Sequence, residues 1–124
     1  MANEHQLSLS GLRILVAEDS WHLADALRIT LEGAGAEVIG LAATLADAEH
    51  IAATIDFDAA VMDLNLHDAM AHALAQRLAA AGKKVVVISG YDIKGEISHQ
   101  VHATLGKPTS TAALISALQR PLST

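Results

Sequence analysis

Acidic side chains follow two short apolar runs in this sequence. Glu18 and Asp19 come directly after residues 14–17, and Asp63 comes directly after residues 59–62. If both runs are parallel strands of one sheet, their carboxyl ends meet at the same edge, where open α/β sheets bind ligands. Two unit charges about 4 Å apart repel by roughly 4 kcal/mol at an effective dielectric near 20. Such a cluster needs a cation or a proton, so the pattern predicts a functional site.

Two further polar residues follow apolar runs in the same way. Ser89 comes directly after the apolar run 85–88, and Lys107 follows the short run 103–105. An ammonium group and a hydroxyl are donors that suit phosphoryl oxygens. Phosphoryl transfer asks a protein mainly for positioning and for neutralisation of charge. The combined set therefore indicates the binding and transfer of a phosphoryl group.

The composition predicts one domain with a core of small and aliphatic side chains. A chain of 124 residues is a common domain size and buries about two-thirds of its unfolded surface. Hydrophobic residues make up 52% of the chain, yet the aromatic ones are only Trp21, Phe57 and Tyr91. Alanine supplies many of the other hydrophobic residues, and its small side chain suits close packing of helices on a sheet.

Charge and residue usage disfavour several classes of function. The net charge is −6 and the longest basic run is Lys83-Lys84, whereas nucleic-acid binding needs several Lys or Arg contacts to phosphates. The absence of cysteine excludes disulfides and thiolate metal sites. Residues 1–10 do not resemble a signal peptide, and no apolar stretch approaches the roughly 20 residues of a membrane span. We expect a cytoplasmic protein with no nucleic-acid or membrane partner.

The chain alternates between apolar runs and helical patterns. This rhythm predicts an α/β fold with a parallel sheet covered by helices on both faces. The predicted strands are residues 13–18, 37–41, 59–62, 84–88 and 103–105.

Capping residues mark the helices between these strands. Ser20 and Thr44 are predicted N-caps of the first two helices, and Thr109 or Ser110 of the last. The third helix is expected within residues 68–81 and the fourth, short or irregular, within residues 92–102. We expect a flexible extension over residues 1–11, one domain over residues 12–120, and no output domain.

These motifs together resemble the CheY-like receiver domain of two-component response regulators. The likeness is to the stand-alone form of this domain. The likeness spans residues 12–119 and rests on Glu18-Asp19, Asp63, Ser89 and Lys107-Pro108 in that order. Each motif alone is weak, but the ordered set is specific. The resemblance implies a doubly wound five-stranded parallel sheet with strand order 2-1-3-4-5.

The resemblance also implies roles for the polar residues. Asp63 would be the nucleophile that forms an acyl phosphate, with a phosphohistidine of a sensor histidine kinase as the donor. Ser89 and Lys107 would each hydrogen-bond a phosphoryl oxygen. Without a phosphoryl group, Lys107 would pair with Asp63. The family likeness further implies a cis peptide bond before Pro108.

A magnesium ion belongs to the same family pattern. Asp19 and Asp63 would bind Mg²⁺ directly, and the backbone carbonyl of Asn65 would be a third protein ligand. Glu18 is one methylene longer than the Asp commoner in the family, so it would act through a bound water. Magnesium prefers oxygen ligands and keeps several waters, which this set allows.

Some features depart from the family pattern. Thr104 stands three residues before the lysine, where receivers usually carry Tyr or Phe, so the usual aromatic switch cannot operate there. Tyr91 is a candidate substitute, and His67 is a candidate contact at the phosphoryl entrance. Residues 65–85 and 89–107 are shorter than is typical. Phosphoryl chemistry is therefore expected to be intact and signal transmission to be altered.

Three functions fit these observations to different degrees. The first is a single-domain response regulator that catalyses only its own phosphorylation and dephosphorylation. Its partners would be a sensor histidine kinase and a phosphotransfer protein or downstream effector, and its oligomeric state, a homodimer included, is open. The second is a phosphorylation-independent adaptor with receiver architecture. The third, a small metal-dependent phosphatase, is disfavoured because no second acid is placed as a general acid.

Overall fold

The computed structural model describes residues 8–66, 68–90 and 96–122. Within these ranges five strands alternate with five helices. In chain order they are β1 Arg13–Ala17, α1 Trp21–Gly33, β2 Glu37–Ala42, α2 Leu45–Thr54, β3 Ala59–Met62, α3 His72–Ala80, β4 Lys84–Ser89, α4 Glu96–Gln100, β5 Ala103–Gly106 and α5 Thr111–Gln119.

The strands form one parallel sheet with the order β2-β1-β3-β4-β5. The predicted fold class and strand order are confirmed. The chain moves outward from β1 to β2 and then returns across β1 to β3. This change of direction leaves a crevice at the carboxyl ends of β1 and β3, where doubly wound folds bind their ligands.

The sheet separates two hydrophobic clusters, because successive side chains of a strand point to opposite faces. One cluster joins the sheet to α2, α3 and α4, and the other joins it to α1 and α5. The strand residues of the first cluster are Leu15, Ala17, Ala42, Ala60, Met62, Val85 and Val87. Those of the second are Ile14, Val16, Ala59, Val61, Val86 and Ile88. Both faces of the central strands are thus buried, as expected for a parallel sheet.

The helix boundaries follow local hydrogen bonding. The hydroxyl of Ser20 accepts the N–H of Leu23, and the hydroxyl of Ser110, rather than that of Thr109, caps α5 by accepting the N–H of Ala113. α4 is short, as predicted. α3 spans His72–Ala80, inside the predicted range of residues 68–81.

The segment before β1 packs against the domain from Leu9 onward. Leu9 is buried, and its N–H donates to the carbonyl of Ala34 at 2.7 Å. The side chain of Gln119 donates to the carbonyl of Ser8 at 3.1 Å. Two residues of the predicted extension, Ser8 and Leu9, therefore contact the packed domain. Among the described residues, no helix has the length and apolar character to cross a membrane.

Close approach of α2 to β2 requires a glycine at position 40. The pairing of β1 with β2 shifts between Ile14 and Leu15, so that Leu15 pairs with Gly40. A Cβ on Gly40 would lie 2.9 Å from Cδ1 and 3.1 Å from Cγ2 of Ile51. Both distances are shorter than an ordinary van der Waals contact.

An ion pair joins the amino end of β1 to the amino end of β3. The Asp58 carboxylate accepts the backbone N–H of Arg13 at 2.9 Å and two guanidinium N–H groups of Arg13 at 3.2 Å. Asp56, which is largely exposed, accepts a third guanidinium N–H at 3.1 Å. The hydrogen bonds from Arg13 lower the pKa of Asp58.

Gly40→Ala is expected to lower the free energy of unfolding by about 1–3 kcal/mol, because the new methyl group overpacks against Ile51. Adding Ile51→Val removes Cδ1 and should recover part of the loss. Urea denaturation of the single and double variants measures both effects. Gly33→Ala is the control: a Cβ there meets no atom within 4 Å, so equal losses at both positions would contradict the packing argument.

Asp58→Ala is expected to destabilise the protein at pH 7 by about 1 kcal/mol, since the pair is partly exposed and solvent screens it. The folded pKa of Asp58 lies below its unfolded value of about 4. Its stabilisation is therefore complete above that value and is lost as the pH falls through the folded pKa. Urea denaturation at pH 7 and pH 3 should show the difference from wild type shrinking in acid. Asp56→Ala should cost much less, and a pH-independent difference for Asp58→Ala would contradict the linkage.

Candidate functional site

Three carboxylates converge at the carboxyl edge of the sheet. β1 and β3 are neighbours, with Ala17 paired to Met62, so the residues that follow these strands leave the sheet side by side. One carboxylate oxygen from each of Glu18, Asp19 and Asp63 lies within 4.8 Å of the others. The sequence predicted this convergence from the two strand ends. Glu18 is only 3% exposed, whereas Asp19 is open to solvent.

Lys107 supplies positive charge to the cluster. Its ammonium group donates to Oδ2 of Asp63 at 2.7 Å and to Oε2 of Glu18 at 3.1 Å. The pair with Asp63 was predicted, but the pair with Glu18 was not. The residue type at position 18 could have indicated this pair, because the carboxylate of a glutamate reaches one methylene farther than that of an aspartate. One cation thus bridges two anions that would otherwise repel each other.

Burial and ion pairing shift the titration of these groups. Burial raises the pKa of Glu18, although the hydrogen bonds from the Ser20 N–H and from Lys107 oppose this effect. Burial also disfavours the charged form of Lys107, but its hydrogen bonds to Asp63 and Glu18 outweigh burial and raise its pKa. Lys107 is therefore a stable cation at neutral pH.

Asp63 is held at both carboxylate oxygens. The backbone N–H of Asn65 donates to Oδ1 at 2.9 Å, while Lys107 donates to Oδ2. The N–H of Asp63 itself donates to the carbonyl of Ala17 at 2.8 Å, which joins this residue to the end of β1. The carboxylate has a defined position and orientation, as a nucleophile requires.

Ser89 and Lys107 lie close together because β4 and β5 pair up to their carboxyl ends. Ser89 pairs with Gly106, and its carbonyl accepts the N–H of Lys107 at 2.9 Å. Ser89 is largely buried. The peptide bond between Lys107 and Pro108 is cis, as the family likeness implied.

Of the three positions that depart from the family pattern, the structure describes one. Thr104 lies on β5, where it pairs with Val87 and is half-buried. Tyr91 and His67 lie outside the described residues, so their predicted contacts stay predictions.

An apolar hollow adjoins the carboxylate cluster, and sequence reasoning missed it. It encloses about 410 Å³ between α1 and the start of α5. Its apolar lining is formed by Leu23, Ala26, Leu27, Ile88, Pro108 and Leu114, and Glu18 and Lys107 also line it. Leu23 has the four-residue spacing from Leu27 and Leu31 that marks one face of α1, yet 45% of it is exposed. Periodicity finds such a face but does not show whether another element covers it.

The carboxylate cluster fits a magnesium ion. Within the described ranges it is the one group of carboxylate and imidazole side chains close enough to hold a metal. Its donors are all oxygen atoms, the ligand type that Mg²⁺ prefers over nitrogen or sulfur. Glu18, Asp19 and Asp63 would hold the ion, with the backbone carbonyl of Asn65 as a further candidate ligand.

Comparison with solved structures identifies the family. A CheY-like response regulator receiver domain from Methylobacillus flagellatus is 30% identical, with a TM-score of 0.77 over 87% of this chain and 96% of that one. A CheY-like receiver domain from Methanospirillum hungatei JF-1 is 24% identical, with the same TM-score over 87% and 90%. The chemotaxis response regulator CheY4 of Vibrio cholerae is 21% identical, with a TM-score of 0.78 over 90% and 98%.

No family model and no curated protein sequence matches the chain. The likeness to the Methylobacillus domain nevertheless extends over nearly the whole of both chains at 30% identity. The protein belongs to the CheY-like response regulator receiver domains.

Lys107→Met is expected to tighten Mg²⁺ binding by about fivefold, roughly 1 kcal/mol, because the ammonium group no longer competes for Glu18 and Asp63. Titration with Mg²⁺, followed by the fluorescence of Trp21, measures the dissociation constant. The matched control is Lys83→Met, which removes the same charge near Phe57 at the amino end of β4. Equal changes in both variants would show a general charge effect instead.

Proposed function

We propose that this protein is a single-domain response regulator that accepts a phosphoryl group on Asp63. The observation that carries the proposal is the state of the Asp63 carboxylate, which is held by Asn65 and Lys107 beside two further carboxylates. A carboxylate fixed in this way is suited to nucleophilic attack on phosphorus. The donor is a phosphohistidine of a sensor histidine kinase.

The reaction moves one phosphoryl group between two side chains. An oxygen of Asp63 attacks phosphorus, the phosphorus–nitrogen bond of the donor breaks, and its electron pair stays on the imidazole. The product is an acyl phosphate. Lys107 then donates to a phosphoryl oxygen, and the hydroxyl of Ser89 donates to another.

Mg²⁺ at the carboxylates would offset the negative charge of the transferred group. The residues of the chain supply the remaining requirements. Lys107 offsets negative charge from one side, and the N–H of Asn65 orients the attacking carboxylate. Glu18 is buried, so its carboxylate acts in a lower dielectric than that of water and attracts Lys107 more strongly.

The surface beside the site supports a protein donor. Lys107 lines the apolar hollow between α1 and α5, and Trp21, which is 70% exposed, lies against the ring of His22 on α1. Exposed apolar side chains next to a reactive group are typical of a protein docking surface. The kinase domain that carries the phosphohistidine would dock there.

The signal leaves this domain by contact with an effector or by transfer of the phosphoryl group to another protein. In either form the protein modifies only itself and turns over no separate substrate. A cytoplasmic location follows from this role, since the proposed kinase domain acts there.

A phosphorylation-independent adaptor is the second candidate. It is favoured by Thr104, a small half-buried side chain on β5 where an aromatic switch residue would be expected. In that case Asp63 and Lys107 would form only a structural ion pair, and partners would bind the unmodified surface.

Incubation with acetyl phosphate and Mg²⁺ is expected to add one phosphoryl group to the wild-type protein and none to Asp63→Asn. Intact-protein mass measures the gain, and consumption of the donor is read in the same samples to detect rapid self-hydrolysis. Asp56→Asn, an equal change at the opposite edge of the sheet, should leave the gain unchanged.

Loss of the gain without Mg²⁺ would support the proposed ligand set. If there is no mass gain and no consumption of the donor, the result would contradict phosphoryl acceptance and would favour the adaptor. A gain that persists in Asp63→Asn would place the modification on another residue.

A further inference from the structure

A carboxylate from the loop after β3 reaches the first turn of α2. Oδ1 of Asp68 accepts the N–H of Leu45 at 2.7 Å, and Oδ2 accepts the N–H of Ala46 at 3.4 Å. The N–H of Asp47 is capped separately by the hydroxyl of Thr44 at 3.1 Å. The first turn of a helix leaves its N–H groups without partners in the helix. Asp68 therefore provides two of the bonds that α2 needs, from a distant part of the chain.

The same loop carries the proposed phosphoryl acceptor. Asp63 begins the loop and bonds the N–H of Asn65. The loop then folds back on itself, because Asn65 bridges to Met70 and the N–H of Ala71 donates to the carbonyl of Leu64 at 2.7 Å. Bonds within the loop thus connect its start at Asp63 to its later part, where Asp68 lies.

α2 also meets this region through apolar packing, since Ala48 shares a buried cluster with Leu64 and Leu66 of the loop. α2 packs mainly on β1 and β2, and Arg77 of α3 pairs with Glu49 of α2 on the exposed surface. Exposed ion pairs of that kind contribute little. A carboxylate at a helix N-terminus is favoured by both its hydrogen bonds and the helix dipole. Asp68, although exposed, thus provides a polar link from the loop to the first turn of α2.

We propose that Asp68 is a positioning residue that couples the N-terminus of α2 to the Asp63 loop, an inference that rests on the proposed function. Conversion of Asp63 to an acyl phosphate changes the oxygen that Asn65 contacts. The loop shifts in response, and Asp68 carries the shift to Leu45 and Ala46. In the reverse direction, the hold of Asp68 on α2 keeps Asp63 and Asn65 in the geometry that sets the lifetime of the acyl phosphate.

The test compares two caps of the same helix turn. Asp68→Ala removes the cap that comes from the loop, and Thr44→Ala removes the cap that comes from the β2–α2 connection. Asp68→Asn keeps an oxygen that can accept one N–H group, so it is the rescue variant. Hydrogen exchange of the Asn65 amide is measured by NMR without a phosphodonor. Loss of the phosphoryl group after removal of acetyl phosphate is measured separately by intact mass.

Asp68→Ala is expected to speed exchange of the Asn65 amide and to change the rate of phosphoryl loss, each by about fivefold, the factor that corresponds to loss of one helix cap. Thr44→Ala should loosen α2 to a similar degree but leave both readouts near wild type. Asp68→Asn should restore both, and circular dichroism confirms that each variant is folded.

Equal effects from Thr44→Ala and Asp68→Ala would overturn the proposal, because general weakening of α2 would explain them. An effect of Asp68→Ala confined to the amides of Leu45 and Ala46 would also overturn it. If the wild type takes up no phosphoryl group, the proposed function fails. Exchange at Asn65 then still decides whether Asp68 positions the loop.

Discussion

Repulsion among three carboxylates is the constraint on which the carboxyl edge of this protein depends. Glu18, Asp19 and Asp63 are brought together by the order of the strands, and the fold must supply positive charge to keep them there. Lys107 provides it from the far edge of the sheet, with short contacts to two of the three groups. The sheet order therefore matters chemically as well as topologically.

The same charge balance links structure to reactivity. In this structure the Lys107 ammonium group occupies Oδ2 of Asp63, and a phosphoryl group on Asp63 would present new anionic oxygens to the same ammonium group. Burial of Glu18 beside the ammonium strengthens the attraction between them. The ion pair of the unmodified protein thus preorganises the contacts that the proposed modified state requires.

The elements of the sheet were predictable, whereas several contacts between them were not. Strand ends, Ser20 and Thr44 carry local signals in periodicity and capping. The Asp68 contact joins residues that are 22 and 23 positions apart, and no local pattern predicts a bond at that separation. For the same reason the role of Asp68 at the start of α2 was not predictable from the sequence.

The division of the core into two clusters has a consequence for divergence among related chains. Side chains that pack under α1 and α5 scarcely share neighbours with those under α2, α3 and α4, because the sheet lies between them. Substitutions on one side can accumulate without compensating changes on the other. The face beside the apolar hollow and the face formed by α2 can therefore diverge separately.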